Sequence, residues 1–118
     1  MESEEIEVLE ETPQYTTIHH KVRNALNLTI FEYCIYDSIY NLSNNPQYNG
    51  WCIQSNKCIA EWLGCSERWV REAKKKGIEK GLLEVPGNKR YNDTRIRTTQ
   101  LWYDNVIIEK ERCGTKFL

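Results

Sequence analysis

The stretch IQSNKCIAEWLGCSERWVREAKKKGIEKGLLEV, residues 53–85, decides how the rest of the chain is read. Ser55 is placed to cap a helix whose apolar residues Ile59, Trp62 and Leu63 recur at the i, i+3, i+4 spacing of one buried face. Ala60 is small enough to let a second helix cross closely. Gly64 can take the positive φ that stops the helix without a side-chain penalty, and Ser66 is suited to cap the next one. With only Leu63-Gly64-Cys65-Ser66 between them, the two helices must cross steeply.

At roughly 100° per residue, Val70, Ala73 and Gly77 fall together on one side of the second helix, the side expected to face the core. Arg68, Arg71, Glu72 and Lys75 then point outward, with Lys74 and Lys76 on the flanks. Two readings fit such a face. A solvated helix would show the same i, i+4 pairs Glu67/Arg71, Arg68/Glu72 and Glu72/Lys76, each worth about 0.2–0.5 kcal/mol. A helix that enters the DNA major groove would use its early residues on base edges, with Arg forking onto guanine and nearby Lys or Ser on phosphates. In that reading Arg68 and Arg71 are the base-edge candidates and Ser66 and Lys75 the phosphate candidates. Ser55 and Lys57 from the first helix, with Trp69 and Glu72 from the second, complete the helical part of the candidate interface.

A hairpin is expected to follow. Leu82-Leu83-Glu84-Val85 reads as a short strand, and Pro86-Gly87 and Asn92-Asp93 are turn signals around a polar loop carrying Lys89, Arg90 and Tyr91. The return strand, residues 94–101, alternates Arg95 and Arg97 on one face with Ile96 and Thr98 on the other. Its cationic face and the loop tip would reach phosphates beside the groove, although hairpin tips are also basic for solubility alone.

These residues resemble the winged helix-turn-helix domains of plasmid replication initiators, phage replisome organisers and small bacterial regulators. The likeness is carried by Ile59-Ala60, Leu63-Gly64-Cys65-Ser66-Glu67-Arg68, Val70-Arg71 and the exit Glu79-Lys80-Gly81-Leu82-Leu83. It extends upstream through residues 18–26, a Leu-Thr-x-x-Glu helix start at Leu28 to Glu32, and the apolar entry ending in Ser55, so that it covers about residues 15–103. It implies an α+β winged helix with three main helices and a two-stranded wing, reading duplex DNA with helix 66–77 and phosphates with wing 86–97. Two positions depart from that group. Trp69 stands where a small Thr or Ser is usual, on the boundary between buried and exposed faces, where it would stack on a sugar or thymine methyl, anchor a protein partner, or pack on the first helix. Gly77 stands where a large aliphatic residue closes the helix, which would end it early and leave Ile78 to fill the core.

The remainder reads as scaffold. Thr29 and Glu32 form a capping box, after which Phe31, Ile35, Ile39 and Leu42 sit at core-building helical spacing. An Asn-rich loop with Pro46 and Gly50 precedes Trp51, and residues 15–22, including His19-His20, suggest a short extra strand. Four Trp and seven Tyr exceed what one small core readily hides. Trp51, Trp102 and Tyr103 are therefore candidates for a homodimer contact or for loose packing around the sheet, and residues 102–112, with Trp102, Tyr103, Val106, Ile107 and Ile108, for a dimer contact that runs into a C-terminal extension, residues 104–118.

At 118 residues the chain is long enough for one modest core. No apolar run approaches a membrane span and the amino terminus is acidic, so no membrane association and a cytoplasmic, nucleoid-associated location are expected. The net charge of −1 is unevenly divided. Residues 1–12 hold six Glu and no base, within an acidic, disordered tail (1–14) that would act as a solubiliser, a DNA mimic competing for the basic face, or a partner-binding segment. Residues 13–118 carry 16 bases against 11 acids, and residues 66–97 ten against five, so the cationic surface is local. Cys34, Cys52, Cys58, Cys65 and Cys113 show neither C-x-x-C pairing nor zinc spacing; no metal or cofactor is expected, and Cys34 and Cys65 read as buried thiols. Phosphate-loop and nucleophile-elbow motifs are absent, so no catalytic role is expected.

The leading expectation is therefore a double-stranded DNA binder, serving as a transcriptional regulator or a replication-origin binder. A competing expectation is a protein-interaction module that uses Trp69 to dock a replication or transcription partner without reading DNA. A third is single-stranded DNA binding on an aromatic platform.

Overall fold

The computed structural model describes residues 15–116 other than 45, 46, 48 and 91, with side chains described through residue 112. The acidic tail, Pro46, Tyr91 and the Cys113 side chain lie outside the described residues. The described chain is α+β: helices α1 (His20–Ala25), α2 (Ile30–Ser43), α3 (Asn56–Leu63) and α4 (Glu67–Glu79) are followed by a small antiparallel sheet of β1 (Leu83–Glu84) and β2 (Arg97–Thr98). A last helix, α5, starts as Gln100–Trp102, widens to a π-helical stretch at Tyr103–Ile107, and continues as Ile108–Lys116.

The helix ends form for the reasons the sequence supplies. In the capping box of α2, the Glu32 N–H donates to Thr29 Oγ1 at 3.1 Å and the Thr29 N–H to Glu32 Oε1 at 2.8 Å. Ser55 and Ser66 cap α3 and α4 by accepting from the Cys58 and Trp69 N–H groups at 3.1 and 3.2 Å. Between them Gly64 adopts φ 75°, ψ 38°, a conformation costly for residues with a Cβ, and lets the Cys65 N–H reach back to Ala60 O at 2.9 Å. The expected strand over residues 15–22 does not form. His19 instead caps α1, its Nδ1 accepting from the Val22 N–H at 3.3 Å.

Val70, Ala73 and Gly77 face the core as their spacing requires, against Tyr36, Leu83 and the rest of the buried cluster. Gly77 does not end α4, which runs on to Glu79 and leaves Ile78 42% exposed instead of plugging the core. The glycine answers to crowding: a Cβ there would lie 2.7 Å from Leu83 Cδ1 and 2.9 Å from Tyr36 Cζ. In α2, Ile35 and Ile39 are buried and Leu42 half-buried, but Phe31 points outward, and Tyr33 and Tyr36 fill the core in its place.

The sheet pairs Leu83 with Thr98 and Glu84 with Arg97, extended by a single bridge between Cys52 and Ile96. The return limb is regular only over Arg97–Thr98, and Leu101, expected at the end of a strand, belongs to α5. Trp102, Val106 and Ile107, considered above as dimer contacts, are buried in this chain's own core. Trp102 packs on Tyr33 at 5.3 Å between ring centroids and meets Tyr36 edge-on at 5.9 Å. Helix α5 is held further by Lys110 Nζ on Asp37 Oδ1 at 2.7 Å and by His19 Nε2 facing Glu109 at 3.8 Å. It thus continues the same packed unit past residue 103. Cys52 is the buried thiol; Cys34 and Cys65 are only half-buried, and burial pushes all three pKa values up. Among the described residues, no helix is long and apolar enough to cross a membrane.

Candidate functional site

Among the described residues, two of the hollows beside α4 differ in chemistry. The first, of about 380 Å³, lies between α4 and the β1–β2 loop and is lined by Arg71, Lys74, Lys75 and Ile78 on the helix and Lys89, Asn92, Asp93, Thr94 and Arg95 on the loop, with Asn56 at the start of α3. The loop is folded back to form this wall. Turns are closed by Lys89 N–H to Pro86 O at 3.1 Å and Asp93 N–H to Arg90 O at 3.0 Å, and Thr94 Oγ1 donates to Ile53 O at 2.8 Å. Arg95 clamps the return limb, its Nη2 2.7 Å and its Nε 3.0 Å from Asp93 Oδ2, with a further bond from Nη2 to Asn88 at 3.3 Å. The side-chain and backbone N–H groups of Arg95 hold the Asp93 carboxyl down at about 2.

Arg95 is thereby neutralised by Asp93. Arg71, Lys74, Lys75 and Lys89 form no ion pair among the described residues. Lys74 is half-buried, and burial pulls its pKa below the usual lysine value; the charge of Lys89 adds to the shift, and only the ionised form of Cys52 opposes it. With Asp93 taken up by Arg95 and only its residual field reaching Lys89, the hollow keeps an excess of four positive charges, which suits a polyanion.

The second hollow, about 240 Å³, lies between the start of α2 and the other flank of α4 and is lined by Phe31, Ile35, Trp69 and Ala73 with Glu32, Glu72, Lys76 and Thr29. Here the charges are matched. Lys76 Nζ meets Glu32 Oε2 at 3.1 Å, and Arg68 Nε meets Glu72 Oε1 at 3.1 Å. Burial alone would raise the Glu32 pKa, but the Thr29 N–H and Lys76 outweigh it and hold it below 4.5. Trp69 is 63% exposed and leans on Phe31, itself 38% exposed, with ring centroids 6.5 Å apart. It does not pack against α3 as a core residue.

Of the candidate residues, the first hollow gathers Arg71, Lys75, Lys89 and Arg95, whereas Trp69 and Glu72 line the second. Arg68 is exposed on the outer face of α4 and Arg90 on the loop. Ser55 and Lys57 are exposed at the start of α3 and Ser66 at the start of α4, outside both hollows, with both serine oxygens engaged as caps. Arg97 is not brought to the first hollow: it bonds Glu84 at 2.7 Å and lies 4.1 Å above the Trp51 ring. Lys74, Asn56, Asn92 and Thr94 were not among the candidates. The signal for Lys74 was present, since Val70, Ala73, Lys74 and Gly77 stand at i, i+3, i+4, i+7, so a charged residue occupies the edge of the buried stripe. Among the described residues no group of His, Cys, Asp or Glu is arranged to hold a metal ion. Comparison with family models, curated proteins and solved structures found no match.

Proposed function

We propose that this chain is a winged helix-turn-helix protein that binds duplex DNA, as a transcriptional regulator or a replication-origin binder. In this reading α4 enters the major groove, and the β1–β2 loop is the wing that follows the phosphates beside it. The observation that carries the proposal is the set of four unpaired cations, Arg71, Lys74, Lys75 and Lys89, in the hollow between helix and wing. Arg71 and Arg68 supply forked donors for base edges, and the lysines supply point charges for phosphates. The test is duplex binding followed by fluorescence anisotropy across a salt series. Four to five neutralised phosphates give a log affinity against log salt slope of about −4. An affinity that barely responds to salt would sink the proposal.

The second hollow favours one further reading, a module that docks a replication or transcription protein through Trp69 and Phe31. An exposed Trp beside a second ring, with surrounding charges already matched, is the composition of an interface anchor. Trp69→Ala leaves the salt slope of DNA binding unchanged if that face serves a protein.

A further inference from the structure

We propose that the acidic segment of residues 1–12 docks onto the cationic hollow between α4 and the β1–β2 loop of its own chain, occupying it until a nucleic acid displaces it. Charge complementarity is the first argument. The hollow presents Arg71, Lys74, Lys75 and Lys89 without a carboxylate partner among the described residues, and Lys74 is drawn half inside the surface. Residues 1–12 supply Glu2, Glu4, Glu5, Glu7, Glu10 and Glu11 with no Lys or Arg among them. Of the eleven acids after residue 12, Glu32, Asp37, Glu72, Glu84, Asp93 and Glu109 are paired with basic groups near them, and apart from Asp93, held by Arg95, none of the eleven lines the hollow.

Reach is the second argument. Thirteen residue-to-residue steps lead from Glu2 to Tyr15, where the described chain begins, and at ~3.3–3.6 Å per step they span about 45 Å. The shorter dimensions of the molecule are 34 and 27 Å, so the first glutamates have contour length enough to cross a face of the domain. A tethered ligand of this kind acts at an effective concentration on the order of millimolar, enough for a weak multi-carboxylate contact to be populated.

The consequence for DNA affinity rests on the reading of the hollow as a phosphate-binding face, whereas the contact itself does not. The test therefore begins without DNA. The full-length chain and a full-length variant with all six glutamates changed to glutamine (Glu2→Gln through Glu11→Gln) are compared by amide NMR at low salt. The expected result is a set of differences at Arg71, Lys74, Lys75 and Lys89 that is independent of protein concentration and vanishes in high salt, with Tyr36 and Trp102 in the core unmoved. Identical spectra at those four residues, differences centred elsewhere such as Lys21, or differences that grow with protein concentration would each overturn the proposal. Duplex DNA is then added. Release of an internal competitor raises the variant's affinity roughly three- to tenfold and steepens its salt slope relative to the native chain. If neither protein binds DNA but the amide differences are present, the DNA reading fails while the docking stands.

Discussion

The Tyr36 hydroxyl donates to the backbone oxygen of Ala73 at 2.6 Å, tying the middle of α2 to the helix that carries most of the candidate site. The same ring lies 2.9 Å from the place a Cβ would occupy on Gly77, one turn further along α4. Burial pushes the Tyr36 pKa well above 10.0, so the hydroxyl remains a donor at any ordinary pH.

Gly77→Ala is accordingly expected to destabilise the fold, although alanine is the better helix former. Replacing glycine gains about 1 kcal/mol of helix propensity, but overpacking against a ring fixed by its own hydrogen bond costs about 1–3 kcal/mol. Urea denaturation should show a lower midpoint with an unchanged slope. A higher midpoint would mean that Leu83 moves aside more easily than the contact suggests.

Substitutions at Arg71 and Lys89 separate base reading from phosphate binding. Arg71→Ala should weaken binding to the preferred duplex by about 1–3 kcal/mol and relax preference at one base pair. Lys89→Ala should weaken all duplexes alike and make the salt slope shallower by about 1. Anisotropy titrations on a preferred and a scrambled duplex distinguish the two patterns.

Lys74→Met is expected to raise the melting temperature while weakening duplex binding. The folded-state pKa of Lys74 lies below its unfolded value, so its charge opposes folding at pH below the folded pKa, and that opposition is relieved as pH rises through it. The melting-temperature advantage of Lys74→Met should therefore shrink as the pH is raised into the lysine range. A melting temperature that falls at neutral pH would show that the ammonium has a stabilising partner.

Asp93 should titrate with a midpoint near 2 when followed by its carboxyl carbon shift. Because this pKa is depressed, the clamp with Arg95 is fully present above the ordinary aspartate value of about 3.9 and is lost as pH falls from there through about 2. Arg95→Met should raise the midpoint toward the ordinary value of about 3.9 without reaching it, because the residue-95 backbone N–H still donates to Asp93 and the Lys89 charge remains. A midpoint that stays near 2 would show that the guanidinium contributes little and the backbone N–H holds the carboxylate.

Trp69→Ala should change stability by less than about 0.5 kcal/mol, because the side chain is largely exposed. A larger loss in thermal melts would mean that its contact with Phe31 supports the start of α2.

Much of the frame was legible because local chemistry decides it. Three serine or threonine caps, one glycine stop and the Val70, Ala73, Gly77 stripe stand where their spacing puts them. What was not legible depends on partners distant in sequence. Phe31 shares its helical stripe with Ile35, but the stripe reaches the edge of the α2–α4 contact at that turn, so the ring emerges beside Trp69. Arg97 alternates correctly with Ile96, yet Trp51 and Glu84 wait beside it, a meeting that strand alternation cannot reveal. In the candidate site, the charge of α4 was visible from composition. Its division into an unmatched flank facing the loop and a matched flank facing α2 required knowing where Glu32 and Asp93 lie.

The wider π-helical stretch at Tyr103–Ile107 accommodates one residue more per turn than was needed to continue α5 as a regular helix. It sets the phase of everything after it, including the Lys110 that meets Asp37. Removing one residue from that stretch would return it to regular α-helical winding and leave Lys110 facing Asp37, whereas removing one from a regular α-helical turn between Trp102 and Lys110 would rotate the distal part by about 100° and swing Lys110 away from its carboxylate. In this chain the π turn is thus the one place in α5, among the described residues, where a residue can be lost without separating Lys110 from Asp37.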